Sequence, residues 1–254
     1  MRQDERDPFD AALHRARLSA YAPGEFVGQE SFMQAGEILS LALRAGIGTG
    51  VTVLDLCCGV AGPGRFLTSE LGCKYLGVDA SASAIALARE RAGALPCLFE
   101  VAPVPPVPTG PFDVVLLLET MLAFADKQAL LAEVSSVLPP GGRFAFTVEE
   151  GGPLTTTERV AMPDAETVWP VPMADLLAGL ERVGLEVSWI EECSAAHRLM
   201  VDSLIEAFVT ERSAITAQLG LRPLDELLAA HRVWSDWLGS GRVRKFAIVA
   251  EKTG

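Results

Sequence analysis

The segment from Val51 to Gly64 constrains the fold of this chain more than any other part of the sequence. Its first part, Val51 to Leu56, is an apolar run without alternation, which is typical of a strand covered on both faces. A turn of almost only small residues follows it, and a helix over about Arg65 to Leu71 comes next. Small side chains would let a ligand reach backbone N–H groups, and the helix would direct its positive end at that ligand. The pattern predicts a ligand site at the carboxyl end of this strand.

Acidic residues mark the ends of two strands that we predict to be neighbours. Asp55 lies near the end of the first strand, and Asp79 ends the second strand, Tyr75 to Val78. A carboxylate at the tip of a parallel strand can accept hydrogen bonds from both hydroxyls of a ribose. Asp79 and the small-residue turn together therefore predict a nucleoside cofactor.

The run Leu54-Asp55-Leu56-Cys57-Cys58-Gly59-Val60-Ala61-Gly62 resembles the first motif of class I S-adenosylmethionine-dependent methyltransferases of the small-molecule type. The cofactor implied by this resemblance, S-adenosyl-L-methionine, has no phosphate and carries an ammonium group, so Asp55 is compatible with it. An NAD-dependent dehydrogenase fits less well, because the G-x-G-x-x-G turn is missing and Asp55 would repel a pyrophosphate. Cys57 and Ala61 replace the family's usual first and third loop glycines, and since both are small we expect a tighter but intact pocket.

The resemblance implies an α/β fold of Rossmann-like type. We expect a seven-stranded, mostly parallel sheet in the order 3-2-1-4-5-7-6, with an antiparallel last strand and helices on both faces. Ser81 or Ser83, and Asp126, are predicted to cap helices within it. Five further strands are predicted at Cys97–Glu100, Phe112–Thr120, Arg143–Glu150, Leu185–Glu191 and Lys245–Lys252.

The chain is predicted to divide into three parts. These are an N-terminal helical lid segment (1–46), a methyltransferase core (47–193 and 242–254) and a helical cap insertion of two long helices (194–241). The lid has predicted helices at Asp10–Ser19 and Glu30–Ala45, and residues 151–172 are predicted to be loop. The cap could roof a substrate pocket or could form a homodimer interface, and the sequence leaves both alternatives open.

Composition excludes several classes of partner. The net charge is −12, with 33 acidic and 21 basic residues, and there is no basic cluster to neutralise nucleic acid or an anionic membrane surface. Apolar runs are too short to cross a bilayer, and the charged N-terminus does not resemble a signal peptide, so we expect a cytoplasmic protein. Five cysteines without zinc-site spacing predict free, mostly buried thiols and no metal.

The resemblance extends to individual cofactor-binding residues. An acid after the third strand contacts the adenine amino group in many family members, and Glu100 is the acid nearest to that position. Glu119 follows the fourth strand, whose carboxyl end faces the reaction space. The loop before the second lid helix is expected to fold over the cofactor with Gln29. The predicted set is Asp55, Cys57, Cys58, Gly59, Asp79, Ala80, Glu100, Glu119 and Gln29.

Catalysis is predicted to involve His197, Glu119 and Tyr21. A base is needed only if the N, O or C acceptor must lose a proton, and His197, which opens the cap, is favoured over His231. Tyr21 resembles the lid tyrosine near the methyl group, although packing with Phe26 is an alternative. Acids at the strand ends would suit an amine acceptor; they are Glu119, Glu149, Glu150, Glu191 and Glu192. A catalytically silent partner subunit that binds S-adenosylmethionine is the alternative function.

Overall fold

A seven-stranded sheet forms the centre of the protein in a computed structural model that describes residues 11–254. Its order is β3-β2-β1-β4-β5-β7-β6, as predicted. The first five strands are parallel, and β7 is antiparallel to both β5 and β6. The strands are β1 (Thr52–Leu56), β2 (Lys74–Asp79), β3 (Cys97–Val101), β4 (Val114–Leu117), β5 (Arg143–Glu150), β6 (Leu185–Glu192) and β7 (Arg244–Lys252).

Helices cover both faces of the sheet and continue into the cap. They are α1 (Ala11–Ala20), α2 (Ala35–Arg44), α3 (Gly62–Leu71), α4 (Ala82–Ala92), α5 (Lys127–Val137), α6 (Thr156–Ala161), α7 (Met173–Arg182), α8 (Ser194–Thr210), α9 (Arg212–Leu219) and α10 (Leu221–Ser240). Ser81 and Asp126 cap α4 and α5 as predicted, each accepting a hydrogen bond from a first-turn N–H.

The central strands are buried on both sides, as their apolar runs predicted. Leu54 and Leu117 pack with α5 and α7 on one face. Val53 and Leu116 pack with α2, α3 and α4 on the other face. Because side chains alternate along a strand, Asp55 shares the second face with Val53 and is enclosed by the same helices.

Three local predictions are wrong, each for a visible physical reason. Helix α2 begins at Ala35, not at Glu30, because the buried Gln29 amide donates to the carbonyls of Glu25 and Met33 and holds the preceding loop. The loop predicted for 151–172 contains α6, which begins with a capping box. The cap has three helices instead of two, because the first predicted helix is interrupted at Glu211, whose ψ of 10° departs from helical geometry between α8 and α9. The Asp10 end of the first predicted helix lies outside the described residues.

Smaller differences concern strand ends and thiols. β4 stops at Leu117 instead of Thr120, because Glu119 has a left-handed backbone and its N–H donates to Thr147 Oγ1 instead of to a strand. The five cysteines are free thiols as predicted, but only Cys73 is fully buried and the others are half-buried.

Helix α1 packs with the cap and not with the sheet. Ala12 and Ala16 share a hydrophobic cluster with Leu204 and Phe208 of α8 and with Leu224 of α10. The N-terminal helix and the cap therefore form one layer that has its own apolar core. No helix within residues 11–254 combines the length and hydrophobicity needed to cross a membrane.

A close contact in the core gives a test of this packing. A Cβ at Gly64 of α3 would lie 2.1 to 2.3 Å from the ring and hydroxyl of the buried Tyr75. We expect Gly64→Ala to lower the free energy of unfolding by about 1–3 kcal/mol through overpacking, although helix propensity alone would favour alanine by about 1 kcal/mol. Urea denaturation measures the change.

Gly48→Ala is the matched control. A Cβ at Gly48 has no neighbour within 4 Å, and its φ is not left-handed. This variant should be as stable as the wild type or more so, because alanine restricts the unfolded chain. A stable Gly64→Ala protein would contradict the packing described for Tyr75.

Candidate active site

A cavity of about 380 Å³ lies at the carboxyl ends of β1, β2 and β4. The small-residue turn and the start of α3 form one wall, residues 118–120 form another, and the loop before α2 closes it. Seven of the predicted cofactor-binding residues line the cavity: Gln29, Asp55, Cys57, Cys58, Gly59, Asp79 and Glu119. Ala80 and Glu100 are outside its lining. Glu100 is exposed on the edge strand β3, so the geometry gives no support to its predicted adenine contact.

The turn after β1 has the left-handed backbone that favours glycine, although Cys57 and Ala61 replace two of the family's glycines. Cys57, Gly59 and Ala61 have φ of 57°, 55° and 54°. A left-handed conformation costs roughly 1–2 kcal/mol for a residue with a Cβ, so the surroundings impose it. The Cys58 N–H donates to the Val78 carbonyl at 3.0 Å, and the Gly59 N–H donates to Asp79 Oδ2 at 2.8 Å.

Asp79 is oriented by the backbone before any ligand binds. Its Oδ2 accepts from the Gly59 N–H and its Oδ1 accepts from the Ser81 N–H at 2.8 Å. Each carboxylate oxygen has a second lone pair, and the side chain lines the cavity. Asp79 can therefore accept two more hydrogen bonds from a diol without moving.

Asp55 is a buried carboxyl group whose side-chain partner among residues 11–254 is Tyr75. The Tyr75 hydroxyl donates to Asp55 Oδ2 at 2.6 Å, and both side chains are almost fully buried. Burial raises the pKa of Asp55 to about 7, although the hydrogen bond from Tyr75 lowers it. A cation in the cavity would favour the ionised form. Sequence reasoning missed Tyr75, because in sequence it is an ordinary aromatic residue of a buried strand.

The loop before α2 lies directly on the cofactor turn. A Cβ at Gly62 would lie 2.5 to 2.6 Å from backbone atoms of Gly28 and Val27, so only glycine allows this approach. Gln29, predicted to belong to the lid, is buried and lines the cavity while its amide fixes the loop.

Tyr21 lies behind this loop and outside the cavity lining. Its hydroxyl donates to the Ser31 carbonyl, and its ring lies 5.2 Å from the Phe26 ring. Burial raises the pKa of Tyr21 above its ordinary range. These contacts correspond to the packing alternative for Tyr21, and they do not support its predicted catalytic role.

A buried ion cluster reaches the cavity through Glu119. Lys245 of β7 lies opposite Glu149 of β5 in the strand register, and its ammonium forms ion pairs with Glu149 and, at 2.7 Å, with Glu119 Oε1. All three side chains are at least 89% buried. Burial raises the pKa of Glu119, but Lys245 and His197 outweigh this effect and lower it to about 2. Glu119 is therefore an ion-paired carboxylate and a poor candidate for a base.

His197 extends the cluster into the cap. Its Nδ1 lies 4.0 Å from Glu119 Oε2, and its Nε2 lies 3.5 Å from Glu37 Oε1 of α2. Burial opposes the protonated form, but the two carboxylates and Cys193 prevail and raise the pKa of His197 to about 10. An imidazolium has no lone pair with which to accept a proton. These contacts do not favour the predicted role of His197 as a general base, and they suit it as an ionic link between α2, α8 and the end of β4.

A second cavity of about 270 Å³ adjoins the first and lies beneath the cap. The two cavities share Glu30, Ser31 and Glu119. The remaining lining residues are Arg17, Phe32, Leu122, Glu149, Leu204, Leu227, Ala230, His231 and Trp234. Apart from Glu149 and His231, sequence reasoning assigned none of these residues individually to a site, because they come from distant segments. Four of the lining residues belong to α10: Leu227, Ala230, His231 and Trp234. Their i, i+3, i+4, i+7 spacing shows that they share one helix face, but it does not show that this face lines a cavity.

Comparison with known proteins identifies the central region. Residues 53–142 match the family described as "Methyltransferase domain". This region therefore resembles a methyltransferase domain. The match covers the cofactor turn, Asp79 and the first four strands, and the sheet order of the whole chain is that expected for the class.

The matches to curated relatives cover less than half of this chain. Phosphoethanolamine N-methyltransferase 1 of Arabidopsis thaliana is 36% identical over 98 residues, which are 37% of this chain and 20% of that protein. Methyltransferase GfsG of Streptomyces halstedii is 30% identical over 121 residues, or 44% of each chain. The chain therefore matches about a fifth of the plant protein and less than half of GfsG.

Solved structures share the fold over nearly the whole chain. The cyclopropane synthase MmaA2 from Mycobacterium tuberculosis superposes with a TM-score of 0.80 at 15% identity, over 97% of this chain and 95% of that one. The [4+2]-cyclase SpnF superposes with a TM-score of 0.75 at 19% identity, over 97% and 94%. The cap that surrounds the methyltransferase domain here is thus part of a shared architecture.

Removing the cation of the ion cluster should destabilise the protein. Lys245→Met leaves Glu119 and Glu149 buried without their partner, and breaking a buried pair in this way costs about 3–5 kcal/mol. We expect a loss of this size in the free energy of unfolding measured in urea. Lys74→Met, at an exposed lysine of β2, should change stability by no more than about 0.5 kcal/mol. Equal stability of the two variants would contradict the cluster.

The raised pKa of His197 predicts a pH-dependent contribution to stability. Its protonated form is favoured in the folded state, so the contribution is complete below the unfolded pKa of 6.5 and is lost as the pH rises to about 10. We expect His197→Gln to be less stable than the wild type at pH 6 and the difference to shrink by pH 10. Denaturation curves of both proteins at several pH values give the difference between their free energies of unfolding. Groups that titrate in the same way in both proteins do not contribute to this difference. A difference independent of pH would show that His197 is neutral.

Proposed function

We propose that the protein transfers a methyl group from S-adenosyl-L-methionine to a small-molecule acceptor. The observation that carries this proposal is the pair of adjoining cavities with the shared wall of Glu30, Ser31 and Glu119. The first cavity would hold the cofactor and the second the acceptor. Transfer needs the two molecules in line and shielded from water, and two adjoining cavities with shared wall residues would hold them next to each other.

The residues of the first cavity fit the proposed cofactor. The Gly59 turn allows close approach, Asp79 has lone pairs left for a diol, and Asp55 is a buried carboxyl group without a cation beside it in the part of the chain that the structure describes. In the proposed complex Asp79 binds the ribose hydroxyls and Asp55 favours the methionine ammonium. Bound S-adenosylmethionine would supply an electrophilic methyl group on its sulfonium.

We propose that the lid (1–46) and the cap (194–241) cover the core (47–193 and 242–254) as one unit. The shared hydrophobic cluster of α1 with α8 and α10 supports this division. The cap side chains that line the second cavity support a substrate roof rather than a homodimer interface. A cytoplasmic location and a homodimer stay predictions.

The proposal is tested first by titration calorimetry with S-adenosylhomocysteine, with NAD in parallel. We expect S-adenosylhomocysteine to bind and NAD not to bind. Asp79→Ala should weaken binding by about 1–3 kcal/mol, since two ligand hydroxyls lose their acceptor. Glu90→Ala, at an exposed acid of α4, should bind like the wild type. Absence of binding by the wild type would contradict the proposal.

Methyl transfer itself separates the enzyme from the silent partner subunit. The wild type is incubated with methyl-labelled S-adenosylmethionine and with panels of amines, alcohols and carboxylic acids. Labelled product from any panel supports the enzyme. Tight cofactor binding without transfer to any of them would favour the silent subunit.

A further inference from the structure

We infer that the second cavity accepts an uncharged, largely apolar molecule through a hydroxyl group, and that Nε2 of His231 takes the proton of this hydroxyl during methyl transfer. The inference rests on the proposed function and names its substrate class and base. Two independent observations carry it: the hydrogen bonding of His231, and the pairing of every charged residue that lines the cavity.

The hydrogen bond of His231 fixes its tautomer. Nδ1 lies 2.8 Å from the carbonyl oxygen of Leu227, one turn earlier in α10. A carbonyl oxygen only accepts, so Nδ1 carries the proton and Nε2 keeps its lone pair. The rings of Phe32 and Phe208 flank the imidazole edge-on, with centroids 5.6 and 5.3 Å away. Burial lowers the pKa of His231 to about 4, so the ring is neutral and can accept a hydrogen bond.

The charges in the lining of the second cavity are already paired within the protein. Arg17 forms an ion pair with Glu30 at the rim. Glu119 and Glu149 share the Lys245 ammonium on the floor. An ammonium or a phosphate in this cavity would have to break one of these pairs or stay unpaired, and both are costly for a buried charge.

The same pairing removes the reason to expect an amine acceptor. Four of the five strand-end acids that suggested an amine have a cation of the protein beside them. Arg244 pairs with Glu150 and Glu192. Lys245 pairs with Glu119 and Glu149. Apart from Ser31 and His231, the rest of the lining is apolar and aromatic: Phe32, Leu122, Leu204, Leu227, Ala230 and Trp234. A neutral, apolar body with one hydroxyl group matches this surface.

The proposed step balances without a further reactant. The acceptor oxygen forms a bond to the methyl carbon while the carbon–sulfur bond breaks and leaves its electron pair on sulfur. The hydroxyl proton passes to His231 Nε2, which becomes an imidazolium and later releases the proton to solvent. The products are a methyl ether and S-adenosylhomocysteine. General-base help of this kind contributes typically 10²- to 10⁴-fold in rate.

The charge preference is tested with three matched probes on one ring system. 2-Naphthalenemethanol, 2-naphthalenemethylamine and 2-naphthoate are neutral, cationic and anionic at pH 7. Each is titrated by calorimetry into protein saturated with S-adenosylhomocysteine. We expect the alcohol to bind at least ten-fold more tightly than either ion. No binding of the alcohol, or equal or tighter binding of either ion, overturns the inference.

The role of His231 is tested by His231→Gln with labelled S-adenosylmethionine and 2-naphthalenemethanol. Glutamine keeps a hydrogen-bonding side chain but cannot take a proton, so the transfer rate should fall about 10²-fold or more, while the alcohol still binds. Arg232→Gln, at the exposed neighbour of His231, should transfer at the wild-type rate. A wild-type rate in His231→Gln, or no transfer to the alcohol by the wild type, overturns the inference.

The affinity of S-adenosylhomocysteine separates this inference from the proposed function. His231 does not line the first cavity, so His231→Gln should bind S-adenosylhomocysteine like the wild type, which also shows that the variant is folded. Failure of the wild type to bind it contradicts the proposed function. If the wild type and His231→Gln both bind S-adenosylhomocysteine and transfer the methyl group at equal rates, only the role of His231 is contradicted.

Discussion

The ammonium of Lys245 is the interaction on which the site depends. It lies between Glu119 and Glu149 and so joins the ends of β4, β5 and β7, while His197 links the same cluster to α2 and α8. Because a buried charge is tolerated only with its partners, these five elements are held in one arrangement. Both cavities have Glu119 in their walls, so the position of this residue fixes the boundary between the proposed cofactor and acceptor.

The cofactor turn shows how tertiary contacts replace local preference. Cys57 and Ala61 adopt backbone angles that favour glycine, and hydrogen bonds from the turn to Val78 and Asp79 hold them there. Gly62 is the position where glycine is required, since the lid loop packs directly on it. The departures from the usual motif therefore leave the turn intact, while the contact that closes the lid depends on a glycine that is present.

Two histidines of the cap show how environment separates residues of one type. His197 lies near two carboxylates, which favour its charged form. His231 lies between two aromatic rings and donates to a helix carbonyl, and this environment favours its neutral form. The first is suited to holding helices together, and the second keeps the Nε2 lone pair that the proposed proton transfer needs. Sequence position alone favoured His197 as the base, because nothing local to either residue reveals its neighbours.

The sequence by itself determined the strands, the turn after β1, the acids at the strand ends and the existence of a helical cap, because strands, turns and helices depend on residues close together in the chain. The strand order came from the resemblance of that turn to a known family. Only the tertiary structure decided which acids are neutralised, which histidine is charged, and that Tyr75 binds Asp55. Lys245 and Glu149 are 96 positions apart, and the second cavity combines residues from Arg17 to Trp234. The charge and shape of a site depend on distances in space, which spacing along the chain does not give.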